Sequence, residues 1–243
     1  NKNLLVNTDS LVENVHFNDD MISALELGWK AVASNVSDLI SSGCNKIIGV
    51  NIGLVIPPKT NWIWVKDLYT GINRALEHYG GVILGGDCSV GKEKVISMTI
   101  LGKQGKIKLR RNKCRPKEII LTTGIHGLSK IGFMIKTKNN FDSNISLSKS
   151  LINKSIKQFC QPKPRPKVLK KILKASPNKR FKKIGCTDSS DGLFQALLDL
   201  SIESNCKAVI DYAKIPKHKD WPQGNEWDEY YFFGGEDYEL VFS

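Results

Sequence analysis

The 243-residue chain has no apolar run approaching a membrane span, and no secretory leader is visible at its start. It begins at Asn1 rather than Met, so a leader could precede it. It also has no C-x-x-C pair. Its six cysteines (Cys44, Cys88, Cys114, Cys160, Cys186 and Cys206) are scattered, and few of its four histidines lie near them. That argues against a zinc site and for a reducing cytoplasm. Arginine is scarce among the 36 basic residues: Arg74, Arg110, Arg111, Arg115, Arg165 and Arg180 are all there are. Phosphate and base readout usually draws on Arg as well as Lys. The net charge of +12 invites a nucleic-acid reading, but the scarcity of Arg and the spread of the basic residues along the chain favour a solvated, Lys-rich surface. Such a surface would still attract anionic substrates such as nucleotides.

A P-loop is missing too, although one stretch imitates it. Gly86 to Lys92 fits G-x-x-x-x-G-K, but Glu93 follows where Ser or Thr should ligate Mg²⁺. The next segment, Val95 to Leu101, is β-branched and alternating, so it predicts a strand and not the phosphate-holding helix. What remains is Val82-Ile83-Leu84, then Gly85-Gly86, then Asp87: bare backbone with a carboxylate at an expected strand end.

Hydrophobic content of 41% and 25% charged residues belong to a globular protein with a real core. The pattern predicts strands over 3–8, 47–56 and 95–101, with helices over 22–42 and 61–79, an α+β or α/β order. The basic stretch from Gly102 to Pro116 marks a boundary, giving an N-terminal domain over 1–108 and a C-terminal domain over 109–243. Beyond it the pattern predicts strands over 118–123 and 208–210 and helices over 127–135, 147–159 and 168–173. A loose polar loop is expected over 137–146, and a helix from Gly192 through Leu200. The last Gly-Gly-acid turn, Gly234-Gly235-Glu236, precedes a closing strand.

Acids recur at the expected tips of these elements: Asp9, Asp87, the pair Asp188 and Asp191, and Asp38 near a helix end. Singly, each has a plain structural reading. Asp188 fits a helix N-cap, Asp191 a first-turn acid and Asp87 a turn residue. Asp38 is poorly placed for the helix dipole, so another group should want it. Collectively, tip carboxylates suit Mg²⁺ held together with substrate phosphates.

These stretches carry a resemblance. Thr8-Asp9-Ser10-Leu11-Val12 with His16-Phe17, Asn35-Val36-Ser37-Asp38-Leu39 and Gly85-Gly86-Asp87 resemble consecutive signatures of the thiamine-monophosphate kinase family. Arg111-Asn112-Lys113-Cys114-Arg115-Pro116, Thr123-Gly124, Pro162-Lys163-Pro164-Arg165, Asp188-Ser189-Ser190-Asp191-Gly192-Leu193 and Gly234-Gly235-Glu236-Asp237-Tyr238-Glu239-Leu240 continue it in order. The resemblance implies an α+β, two-domain fold like that of aminoimidazole-ribonucleotide synthetase. Its N-terminal domain would form half of a β-barrel shared in a homodimer, and its C-terminal domain an α/β sandwich. The implied reaction transfers the γ-phosphoryl group of ATP to thiamine monophosphate. By the motif match Thr8, Asp9, Asp38, Asp87, Asp188 and Asp191 would hold Mg²⁺ ions. Gly86, Asp87, Arg111 and Ser190 would bind ATP, and His16 and Glu236 the thiamine phosphate. His16 otherwise reads as an ordinary histidine and Glu236 as a strand-edge acid. Transfer to an already ionised phosphate needs alignment and charge neutralisation, so no general base is assigned.

The chain departs from the family in places. An acidic Gly-Asp-Asp stretch upstream of Asp9 is absent. Asn7 stands for a usual Ser, Lys113 for a common Gly and Gln161 for a common Arg. The family also continues past Ser243 with an aromatic residue over the thiamine, so the chain is expected to lack both ends. A selenophosphate synthetase or purine-synthesis enzyme of the same superfamily is the nearest alternative. The stretches from Thr8 to His16 and from Gly234 to Leu240 favour the kinase. A basic nucleic-acid-binding protein ranks a distant third, and the retained acids speak against a catalytically dead homologue.

Overall fold

Apolar residues at every second position of one strand and at helical spacing in the next segment build the first layer pair. In the computed structural model, which describes residues 4–137, 147–168, 171 and 183–243, β1 (Leu4–Val12), β2 (Cys44–Ile56), β3 (Val82–Val90) and β4 (Val95–Gln104) form a four-stranded sheet in the order β1-β4-β2-β3. β4 pairs antiparallel with β1 and β2, while β3 joins β2 in parallel. Helices α1 (Ala24–Ser41) and α2 (Trp62–Tyr79) cover one face. Beneath them Ile96, Met98 and Ile100 of β4 and Val50, Ile52 and Leu54 of β2 are buried. Ser23 opens α1 with a capping box to Glu26, and Asn61 caps α2 through the Ile63 amide. The two helices cross on glycine. A Cβ on Gly28 would lie 2.1 Å from the Leu68 carbonyl oxygen, and one on Gly71 1.9 Å from that of Leu25. Only a residue without a side chain allows that approach.

The second sheet has the order β5-β7-β8-β6, from Lys108–Arg110, Leu121–Thr122 (β6), Lys183–Asp188 (β7) and Leu240–Phe242 (β8). Around it lie α3 (Leu128–Lys136), α4 (Lys149–Cys160), α5 (Leu193–Ser204) and α6 (Asn225–Phe233). The main apolar cluster runs from the first sheet through α1 to Phe159, Ile184, Cys186 and Leu240. Helix α1 is therefore the shared wall between the two sheets. All six cysteines are free, and no helix among the described residues is long and apolar enough to cross a membrane.

Several expectations are corrected. β1 runs through Asp9 to Val12, and β3 through Gly85-Gly86-Asp87 to Val90, so Asp9 and Asp87 sit inside strands and not at their tips. Ladder pairing carries both strands past the polar residues. The strand expected over 118–123 shrinks to Leu121–Thr122. Residues 208–210 form no ladder, because no described strand lies beside them to supply one. Helix α6 was not anticipated. Most of the loop expected over 137–146, and the helical piece over 168–173 beyond residue 168 apart from residue 171, lie outside the described residues.

Candidate active site

Strand alternation divides the functional residues of β1 between two faces. Asn7 points at α1, where its amide donates to Asp38 Oδ2 at 2.6 Å and to Asn35 Oδ1 at 3.3 Å. Asp9 follows on the same face, and its carboxylate accepts from the Ser10 amide. Thr8 and Ser10 point the other way, to Thr99 and Ser97 on the open face of the sheet. The partner that Asp38 needed at its helix end is thus Asn7. Even so, burial first, then the negative charges of Asp188 and Asp9, push the Asp38 pKa up to about 7.

The third acid arrives from the second sheet. Asp188 ends β7 and is buried, and it accepts from Ser37 Oγ at 2.6 Å and from Ser190 Oγ at 3.5 Å. Burial raises its pKa against the lowering effect of Ser37 and Arg111. Arg111 lies near enough to lower the pKa of both Asp38 and Asp188. Its own side chain is held by Thr187 Oγ1 at 3.2 Å and Asp199 at 3.2 Å, yet 55% exposed, so part of its guanidinium fork is open to a ligand. Asp191 stands close enough to act on Asp188 by charge. It lies before α5, whose N-cap position is Gly192, so neither acid caps that helix with its side chain.

The segment 234–240 closes the site from the far side. Gly235 fits because a Cβ there would lie 2.6 Å from the Ser190 carbonyl oxygen, and the next amide, of Glu236, donates to that same oxygen at 2.7 Å. Glu236 and Tyr238 both take left-handed backbone, with φ of 66° and 51°. Side chains then alternate in purpose. Glu236 meets Lys30 at 3.0 Å. The Tyr238 phenol is buried and held well above its usual pKa by that burial, reinforced by Glu236, Asp9, Asp188 and Asp38. Asp237 and Glu239 point away. Asp237 accepts from the Gly127 and Ser129 amides at the start of α3, and burial lifts its pKa to about 8. Glu239 forms a two-pronged pair with Arg165.

Two expected groups lie elsewhere. The row Asp9–Met98–Ile52–Gly86 crosses the whole first sheet, which puts the Gly86-Asp87 stretch on the opposite outer strand from Asp9. Asp87 faces the open side with Ser89, which donates to it at 3.0 Å. Gly86 has a structural cause, since a Cβ there would lie 2.1 Å from the Ile52 carbonyl oxygen. His16 is exposed in the turn after β1, where its Nδ1 accepts from the Val12 amide at 3.1 Å. No hydrogen bond joins it to the acids among the described residues.

Sequence reading missed Asn7, Ser37, Lys30 and Tyr238 as site residues. Ser37 sits beside Asp38 and Tyr238 two residues after Glu236, so proximity in sequence was their signal. Lys30 had a different one: a charge among the apolar positions of α1. Among the described residues no three Asp, Glu, His or Cys side chains form a ready-made metal cluster. Two cavities, of about 400 and 580 Å³, lie beside Cys44 and Tyr79 and between Leu121 and Leu197, away from the acids.

Residues 1–104 match the family described as AIR synthase related protein, N-terminal domain. The crystal structure of thiamine monophosphate kinase from Aquifex aeolicus superposes with a TM-score of 0.83 at 28% identity, covering 98% of this chain and 78% of that one. A structure of AaThiL complexed with AMPPCP and TMP gives the same TM-score and identity over 98% of this chain and 74% of that one. Fold and matching segment define an α+β protein whose N-terminal domain is AIR-synthase-related. The thiamine-monophosphate kinase of Prochlorococcus marinus is 44% identical over 242 residues, which are 100% of this chain and 73% of that protein. The chain belongs to the thiamine-monophosphate kinase family.

Proposed function

We propose that this protein phosphorylates thiamine monophosphate to thiamine diphosphate with ATP as donor. The observation that carries the proposal is the convergence of three acids from separate elements: Asp9 of β1 and Asp188 of β7 both act by charge on the half-buried Asp38 of α1, and Arg111 acts on Asp38 and Asp188. Family membership supplies the reaction class. Carboxylates gathered this closely want a cation between them, and an all-oxygen donor set fits Mg²⁺ completed by substrate phosphates. Asp9, Asp38, Asp188 and Asp191 would hold the ions, with Thr8 and Asp87 contributing from the open face. When bound, Mg²⁺ would supply charge neutralisation at the substrate phosphates.

The protein's own groups do the rest. Arg111 offers the unshielded part of its fork to phosphate oxygens, Ser190 its hydroxyl, and Gly86 a bare backbone. Glu236 and His16 take the thiamine phosphate. The attacking oxygen is already ionised, so alignment and charge suffice without a general base.

A homodimer completes this reading. β1 and β3 are nine-residue outer strands, each with one edge unpaired among the described residues. Edges of that length are normally paired or covered. Val6, Val82 and Leu84 are exposed on these strands. A second copy closing the two sheets into a barrel would bring the partner's β3, with its Asp87, alongside β1. Halves 1–108 and 109–243 would then serve dimerisation with nucleotide binding, and closure over the acceptor. Free thiols throughout fit action in the cytoplasm.

The test is to incubate the protein with ATP, Mg²⁺ and thiamine monophosphate and follow ADP and thiamine diphosphate. The two should appear in equal amounts and vanish with chelator. ADP without thiamine diphosphate would send the search to another acceptor.

A further inference from the structure

Lys30 is the site's most unusual cation. It lies on α1 at 2% exposure, its ammonium 3.0 Å from Glu236 Oε2 and 4.0 Å from the centre of the Phe159 ring. A buried ammonium is costly unless paired, and here the carboxylate and the ring face share that task. Glu236 is differently placed: its side chain is 34% exposed, and Lys30 engages one oxygen only. Its left-handed backbone and its amide bond to the Ser190 carbonyl oxygen fix where the side chain starts. Lys30 then fixes where it ends. The other carboxylate oxygen is left to accept from a ligand.

The same helix governs Asp188. Ser37, seven residues after Lys30, lies on the same stripe of α1 and donates to Asp188 at 2.6 Å. Seven residues at helical rise put the two anchor points about 10 Å apart along α1. One rigid helix thus holds an acid at each end of the site.

We propose that Lys30 is the positioning residue that aims Glu236 at the acceptor, with α1 setting the spacing between Glu236 and Asp188. The inference rests on the reading of Glu236 as an acceptor contact. It specifies how a donor group of the thiamine monophosphate, such as its amine, meets an oriented carboxylate oxygen.

The experiment compares Lys30→Met, Glu236→Gln and the double variant by KM for each substrate, kcat and thermal unfolding. Glu236→Gln alone tests the underlying reading and should raise KM for thiamine monophosphate. Lys30→Met should raise that KM about tenfold, with KM for ATP unchanged. The double variant should be no worse than Glu236→Gln, because Lys30 acts through Glu236. If Lys30→Met unfolds, the double variant still decides, since neither charge of the pair is left alone in it. Losses that multiply in the double variant, or a raised KM for ATP, would overturn the proposal. So would an unchanged acceptor KM in a folded Lys30→Met. An unaffected Glu236→Gln would remove the Glu236 reading itself.

Discussion

Ser37 Oγ donates to Asp188 Oδ2 at 2.6 Å, a hydrogen bond between α1, which covers the first sheet, and the end of β7 in the second. Both residues are buried. The bond therefore fixes the orientation of an acid that water does not solvate. A buried acceptor left without its donor costs about 1–3 kcal/mol. Ser37→Ala is expected to lower stability at pH 8 by roughly that amount in urea titrations and to cut kcat. Unchanged stability would mean that Asp188 does not depend on Ser37 for its hydrogen bonding.

Asp38 predicts stability and activity moving in opposite directions. Its folded pKa of about 7 lies above the ordinary carboxylate value of 3.8. The folded state therefore holds its proton more tightly, and stability from this group is lost as pH rises from about 4 through 7. Asp38→Asn should raise the Tm of the metal-free protein at pH 8 by a few degrees, with a smaller gain at pH 5. It should also abolish turnover. A lowered Tm at pH 8 would show that Asn7 already compensates the charge.

Glu239 predicts a purely structural loss. Its side chain is 2% exposed, held by the Arg165 fork and by Thr123 Oγ1. Arg165→Ala strands the carboxylate with one hydroxyl. Because Arg165 is 42% exposed, solvent tempers the cost to about 2–3 kcal/mol. The measurement is chemical unfolding, with substrate KM values unchanged in the folded fraction.

A barrel shared between two copies, as proposed, predicts complementation. Asp87→Asn and Asp188→Asn should each be inactive. Equal amounts, allowed to exchange subunits, should recover about a quarter of wild-type turnover, because half the dimers then contain one intact site. No recovery despite exchange would place Asp87 and Asp188 in the same chain's site or take Asp87 out of it.

Local patterning made the first hundred residues legible. α1, α2 and the four strands follow from apolar spacing and capping residues that agree with one another. Patterning misplaced Asp9 and Asp87, because a polar residue inside a strand looks like its end until the neighbouring strand is known. Residues 208–210 failed for the complementary reason: strand composition makes a strand only where a partner exists. In α6 the aromatics Tyr230 to Phe233 run consecutively, which obscures the helical period. Of the candidate site, the acids were legible as residue types. Their convergence was not, since it depends on α1 standing between two sheets. The polar groups that orient them, Asn7, Ser37 and Lys30, carry no motif of their own.

Mg²⁺-dependent binding of a non-hydrolysable ATP analogue to wild type and to Asp188→Asn, measured by titration calorimetry, tests the central claim most directly. If Asp188 joins Asp9 and Asp38 in holding metal-bound nucleotide, the variant keeps its fold but loses the Mg²⁺-dependent part of its affinity. It should then form no thiamine diphosphate. Wild-type affinity and turnover in Asp188→Asn would contradict the account.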